Sequence, residues 1–214
     1  MMKKYILFDN DGVLVETEQW YYEASKKALK EFFDYDIEFE HYMQIMTQGK
    51  GVWVAVPHAS QNDINFARNQ RDVYYQQFLQ TQQIQIEGVT QILQQLANEY
   101  KMGIVTTSRR VDFDLIHNHR NIVNYMDFTL CVEEYPRAKP YADPYLAGME
   151  KFNAKKEECI VIEASQRGLI SAVNAGIDCV IVKNEFTKTQ DFSQAHYFIE
   201  SLKELPILLQ SIRS

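Results

Sequence analysis

Two aspartates two residues apart, Asp9 and Asp11 in the run Phe8-Asp9-Asn10-Asp11-Gly12-Val13-Leu14, are the first residues with an evident chemical capacity. On an extended backbone, positions i and i+2 point to the same side, so both carboxylates can face one pocket. Gly12 lets the chain turn away from a crowded site. An Asx-type turn that closes a strand, with both aspartates solvated, accounts for the pair equally well. Three further places add polar groups of a matching kind. Thr106-Thr107-Ser108 offers hydroxyls and consecutive backbone N–H groups suited to phosphate oxygens. Lys139, in Lys139-Pro140, can serve as a point charge for phosphate. Glu163 supplies another carboxylate. Each alone reads as a turn, a solvated charge or an acid at a helix start; together they describe a site for an anion.

The elements that must carry these groups follow from the apolar pattern. Tyr5–Phe8 is a short apolar run that ends at the acidic cluster and reads as a buried strand. Similar runs at Gly103–Val105, Phe128–Val132, Cys159–Ile162 and Cys179–Val182 read as its neighbours in one parallel sheet. Val89, Ile92, Leu93 and Leu96 share one face of a helix. Asp143-Pro144 reads as an N-cap with proline in the first turn, and Ser165–Ala175 as a helix stopped by Gly176. Alternation of strand and helix predicts right-handed βαβ units and a doubly wound sheet. The four polar sites then lie at strand ends on one edge, where open α/β sheets bind ligands.

From about Thr17 to about Gln83 the alternation stops. Tyr21, Ala24, Ala28 and Phe32 share one helical face, and Asn62–Gln80 reads as a long polar helix with Phe66, Val73 and Phe78 embedded. The expected organisation is a core of residues 1–15 and 84–214, with a helical insertion over 16–83. The glutamine-rich stretch from Gln76 to Gln95 keeps a helical apolar pattern and reads as solvated helix surface.

With those motifs in hand, the chain resembles the haloacid dehalogenase superfamily, in its β-phosphoglucomutase-like and phosphoglycolate-phosphatase-like branch. The Asp-x-Asp-Gly-Val-Leu motif falls on Asp9–Leu14, the strand-terminal Ser/Thr on Thr106, and the Lys-Pro motif on Lys139-Pro140 ahead of Asp143-Pro144. The fourth motif matches Glu163-Ala164-Ser165-Gln166-Arg167-Gly168 through Ala175-Gly176. The resemblance implies a Rossmann-like core with an inserted helical cap. It also implies a magnesium-dependent phosphatase that acts on a small phosphorylated metabolite of the sugar or glycolate phosphate type. In that scheme Asp9 is the nucleophile, Asp11 the proton-transfer partner, and Thr106, Thr107 and Lys139 hold the phosphoryl group. Mg²⁺ is held by Asp9, Asp11 and the acidic pair after strand four, of which only Glu163 is acidic here, because Ala164 stands where the family has aspartate. Weaker magnesium binding than usual follows. Two other readings remain, a β-phosphoglucomutase-like phosphomutase and a metal-impaired pseudoenzyme that binds a phosphate ligand.

For the substrate, Lys50 and Trp53 near Gly49 and Gly51 are candidate specificity residues in the cap; a solvated lysine and a packed tryptophan are the plainer alternative. Glu16 and Glu18 read as acids at a helix start, and His117 and His119 as solvated or capping histidines. Arg109-Arg110 either adds to the positive field near the threonines or faces solvent at the start of a helix.

Composition narrows the classes. With 214 residues, 46% hydrophobic, the chain can bury a sizeable core. A net charge of −7 argues against nucleic-acid and anionic-membrane partners, which need a basic face. Three scattered cysteines suit a reducing compartment, and no segment is apolar enough for a signal core or a membrane span. The expectation is a cytoplasmic monomer or homodimer.

Overall fold

A computed structural model of the chain describes residues 2–212. It divides into two compact units: one comprises the chain through Glu16 and from Gln85 onward, the other Thr17–Ile84. No helix among the described residues is long and apolar enough to cross a membrane.

The larger unit is a Rossmann-like α/β fold. Its strands are β1 (Tyr5–Phe8), β2 (Lys101–Val105), β3 (Phe128–Leu130), β4 (Cys159–Glu163), β5 (Asp178–Val182) and β6 (Tyr197–Ile199). They form one parallel sheet in the order β3-β2-β1-β4-β5-β6. The order reverses between β1 and β4, and at such a switch point the connections leave in opposite directions and open a crevice at the carboxyl edge. Register brings the strand ends level: Phe8 pairs with Ile104 on one side and Ile162 on the other. The residues that follow, Asp9, Thr106 and Glu163, therefore emerge along the same edge.

The chain's apolar pattern explains the layers. Leu7, Val105, Val161 and Ile181 share a buried cluster with Tyr145, Leu169 and Ala172. Those three belong to the helices laid on that face, Asp143–Lys151 and Gln166–Ala175. The alternate residues Ile6, Phe8, Ile104, Ile160 and Ile162 are equally buried and face the other side. Strands covered on both faces read as continuous apolar runs, and these do.

The smaller unit is helical, built from α1 (Glu18–Phe33), α2 (Phe39–Thr47) and α3 (Gln61–Thr81). The helices of the larger unit follow as α4 (Val89–Leu96), α5 (Arg110–His117), α6 (Asp143–Lys151), α7 (Gln166–Ala175) and α8 (Leu205–Ser211). In α3 the buried stripe is Ala67, Arg71, Tyr75 and Leu79, spaced four apart, whereas Phe66 and Val73 are exposed. Phe66 and Val73, apolar residues embedded in this polar helix, therefore lie off its buried face. Arg71 stacks over the Tyr21 ring at 4.3 Å and Tyr75 meets the same ring edge-on at 5.1 Å. An aliphatic stem under a flat guanidinium covers apolar surface as well as a phenylalanine would.

Candidate active site

Asp9 follows β1 directly, and its backbone N–H donates to the Ile162 carbonyl of β4 at 2.8 Å. The chain then turns through Gly12 at φ 78°, a left-handed conformation that favours glycine. A side chain from α5 holds this turn in place. His117 is buried, and its Nε2 lies 2.7 Å from Asn10 Oδ1. Since the amide oxygen accepts, Nε2 carries the proton. Burial lowers the His117 pKa to about 4, so the ring is neutral and acts as a fixed strut. The solvated or capping role expected for His117 is thereby replaced: it closes the last turn of α5 against the acidic loop.

Lys139 is the hub of the site. Its Nζ, nearly inaccessible to solvent, donates to Asp9 Oδ1 at 2.8 Å, Glu163 Oε1 at 2.6 Å and the Val105 carbonyl at 3.0 Å. One ammonium serves two buried carboxylates, and they do not share it equally. Glu163 Oε1 also accepts from the Tyr145 hydroxyl at 2.7 Å. Its Oε2 accepts from the N–H of Ala164 at 3.0 Å, the N–H of Ser165 at 3.1 Å and the Ser165 hydroxyl at 3.1 Å. Burial works to raise the Glu163 pKa, but Lys139 and these donors bring it below the ordinary carboxylate range. Among the described residues the Asp9 side chain accepts from Lys139 alone. Burial first, and then the charge of Glu163, push its pKa up to about 7 despite the lysine. Burial opposes the charge of Lys139 too, yet Asp9 and Glu163 together keep its pKa raised.

A glycine makes the Glu163 cradle possible. A Cβ at Gly168, in the first turn of α7, would lie 1.8 Å from Glu163 Oε1 and 1.9 Å from Cδ. The carboxylate occupies that space. Ser165 caps the same helix by accepting from the Gly168 N–H at 3.1 Å.

Asp11 faces the end of β2. Its Oδ2 accepts from the Thr106 hydroxyl at 3.2 Å and the Ser108 hydroxyl at 2.8 Å. Thr106 is fully buried, and the Tyr135 hydroxyl holds its carbonyl at 2.6 Å. Thr107 is half-buried, and its hydroxyl accepts from Arg167 Nη2 at 3.1 Å. The structure therefore brings together Asp9, Asp11, Thr106, Thr107, Lys139 and Glu163. It adds four groups that composition and spacing left unassigned. Ser108 and Arg167 stood within motifs already noted, while Tyr145 and Asn10 carried no signal beyond a polar group beside one.

Other candidates lie elsewhere. Arg109 pairs with Asp112 at 2.7 Å, and Arg110 is taken up by Thr129 and Glu134, so neither turns to the threonines. Within the helical unit Trp53 is a core residue, 7% exposed, with its ring 6.3 Å from that of Phe33; Lys50 is exposed. Glu18 opens α1.

The ligand set that the resemblance implies for Mg²⁺ can be tested against these contacts. Magnesium asks for about six oxygens in an octahedron, several of them water. Ala164 offers no side-chain oxygen, and Glu163 spends both of its oxygens on the donors already named. Among the described residues there is no group of three or more His, Cys, Asp or Glu side chains placed to hold a metal ion. Asp9 and Asp11 remain, and they do not make the cage. Glu163, expected as a metal ligand, accepts here from Lys139 and Tyr145.

Comparison with known proteins bears on the same residues. The family model of haloacid dehalogenase-like hydrolases matches residues 6–182. Protein CbbY of Rhodobacter capsulatus is 26% identical, over 94% of this chain and 95% of its own. Fructose-1-phosphate phosphatase YqaB of Escherichia coli is 21% identical, over 83% of this chain and 95% of its own. A crystal structure of a CbbY variant from Rhodobacter sphaeroides in complex with xylulose-(1,5)bisphosphate superposes with a TM-score of 0.83 at 19% identity, covering 95% and 96% of the two chains. The chain belongs to the haloacid dehalogenase-like hydrolase family.

Proposed function

We propose that the chain hydrolyses a small sugar phosphate through an aspartyl-phosphate formed on Asp9. The observation that carries this reading is the single buried ammonium of Lys139 between Asp9 and Glu163. A carboxylate that attacks a phosphate dianion must be neutralised nearby, and a fixed cation in a dry site does this at no cost in reorganisation. In the first step an Asp9 oxygen forms the bond to phosphorus while the bond to the ester oxygen breaks; Asp11 gives that oxygen its proton. In the second, water attacks phosphorus, Asp11 takes the water's proton, and the Asp9–phosphorus bond breaks to free phosphate. Thr106, Thr107 and Ser108 orient the transferring group. The Thr106 and Ser108 hydroxyls donate to Asp11 and hold its carboxyl beside the groups that orient the phosphoryl, while Thr107 accepts from Arg167.

Sugar phosphates are favoured because YqaB is named for fructose-1-phosphate and the CbbY variant is described with a xylulose bisphosphate. The helical unit Thr17–Ile84 serves as the cap that selects among them, with exposed Lys50 as its candidate contact. Mg²⁺, the cofactor of the family resemblance, has only Asp9 and Asp11 to hold it here, so turnover depends loosely on added magnesium. The missing oxygen at Ala164 keeps a second reading alive, a phosphate-binding module with little turnover. Phosphate release from an aryl phosphate and then from a sugar phosphate panel, with Asp9→Asn as the control, decides between them. Release by the wild type and none by the variant is expected. Equal release by both, or none by either, rejects the phosphatase reading.

A further inference from the structure

The site has lost an oxygen ligand at Ala164, and one residue in the same turn carries a charge of the opposite kind. Arg167 lies in the first turn of α7, three residues beyond Ala164, and its Nη2 donates to the Thr107 hydroxyl at 3.1 Å. It is half-buried, and no carboxylate pairs with it among the described residues. A half-exposed guanidinium at this edge keeps N–H donors that can meet an anion.

Its surroundings are those of the phosphate cradle. Burial raises the Tyr135 pKa, the charge of Asp9 raises it further, and the charge of Arg167 opposes both. The Tyr135 hydroxyl donates to the carbonyl of Thr106, next in the chain to the residue Arg167 touches. The turn that carries Arg167 is also fixed. The Thr187 hydroxyl donates to the Ala164 carbonyl at 2.6 Å, Gln190 Oε1 accepts from the Gln166 N–H at 2.6 Å, and Gln166 Oε1 accepts from the Asp191 N–H at 3.1 Å. A loop from the far side of β5 thereby clamps the start of α7. Glu163, saturated by its five donors, leaves no carboxylate in this turn free to oppose an anion.

We propose that Arg167 is a phosphate-binding residue that supplies, as a fixed guanidinium beside Thr107, the positive charge for which Ala164 leaves no metal anchor. The ligand is a phosphate monoester dianion, met by Lys139 on the nucleophile side and by Arg167 on the threonine side. A guanidinium presents parallel N–H donors that match two phosphate oxygens, which a point charge does not. The site consequently binds phosphate without a divalent cation. This rests on the phosphatase reading for its ligand but is tested through binding, not turnover.

Titration calorimetry with inorganic phosphate, in chelator and in added magnesium, tests it. The wild type is expected to bind phosphate in chelator, with less than about a tenfold gain from magnesium, and Arg167→Ala to lose about 10- to 100-fold in affinity in chelator. Arg167→Gln, which can keep the Thr107 hydrogen bond without the charge, should lose as much, and Arg167→Lys should recover part. The double variant Ala164→Asp with Arg167→Ala should regain binding only when magnesium is present. Undiminished phosphate affinity in Arg167→Ala and Arg167→Gln, or a wild type that binds phosphate only with magnesium, overturns the proposal. Were aryl phosphate still hydrolysed in that case, the phosphatase reading would stand and this inference alone would fall. Arginine-dependent phosphate binding without hydrolysis would do the reverse.

Discussion

Asp9→Asn should stabilise the protein against unfolding at alkaline pH while abolishing turnover. Lys139 balances one buried carboxylate, and there are two. The carboxyl of Asp9 stands at about 7 in the folded chain against an ordinary 3.8. Between those pH values the folded chain keeps a proton that the unfolded chain releases. Stability therefore falls as pH rises through that window and levels off above it. Ionising Asp9 in place costs on the order of 4 kcal/mol at most, and relaxation of the site should leave about 1–3 kcal/mol observable. The asparagine keeps an oxygen for the Lys139 ammonium and removes the excess negative charge. Urea unfolding of both proteins in chelator, at about pH 5 and about pH 8, measures the effect. The variant's advantage should be small at the lower pH and grow by that amount at the higher. A constant difference, or a variant that loses ground as pH rises, would mean that Lys139 holds Asp9 ionised with a depressed pKa. The charge balance described for this site would then be wrong.

The same carboxyl sets the acid limb of catalysis: kcat/KM for an aryl phosphate should rise with pH through about 7, the value for ionising Asp9. A limb centred near the ordinary carboxylate value would contradict it. Gly168→Ala would place a methyl group 1.8 Å from Glu163 Oε1, so the carboxylate or the start of α7 must move. A loss of about 2–4 kcal/mol in urea unfolding and a marked fall in turnover are expected, since Lys139 loses a partner. An unaltered protein would show that the Glu163 cradle is not needed. Tyr145→Phe removes one donor from Glu163 and should cost about 1.5–3 kcal/mol by the same titration. Because burial keeps that tyrosine protonated, the loss should be independent of pH across the neutral range.

Much of this architecture could be read from residue order. Five apolar runs, each ended by a polar residue, became five of the six strands, and the edge they share collected Asp9, Thr106 and Glu163. The sixth strand, Tyr197–Ile199, escaped because three residues between polar segments carry no period. In α3 the buried side holds Arg71, whose flat guanidinium covers the Tyr21 ring, while the embedded Phe66 and Val73 are exposed. Charge alone gives no hint of that stacking. Within the site, residue types announced which groups could meet but not which would win. Glu163 read as a metal ligand, and nothing in the order of residues showed that Tyr145, eighteen residues earlier, donates to it. Likewise His117 showed no partner in sequence, since Asn10, 107 residues away, meets it only once α5 lies against the first loop.

The most direct test is to find the phosphoryl group itself. Rapid acid quenching of the enzyme during turnover of an aryl phosphate, followed by borohydride reduction and peptide mass spectrometry, locates a transient acyl-phosphate. The label should fall on Asp9 and vanish in Asp9→Asn. Modification of a histidine, serine or threonine instead, or product formation with no modification at Asp9, would contradict the mechanism.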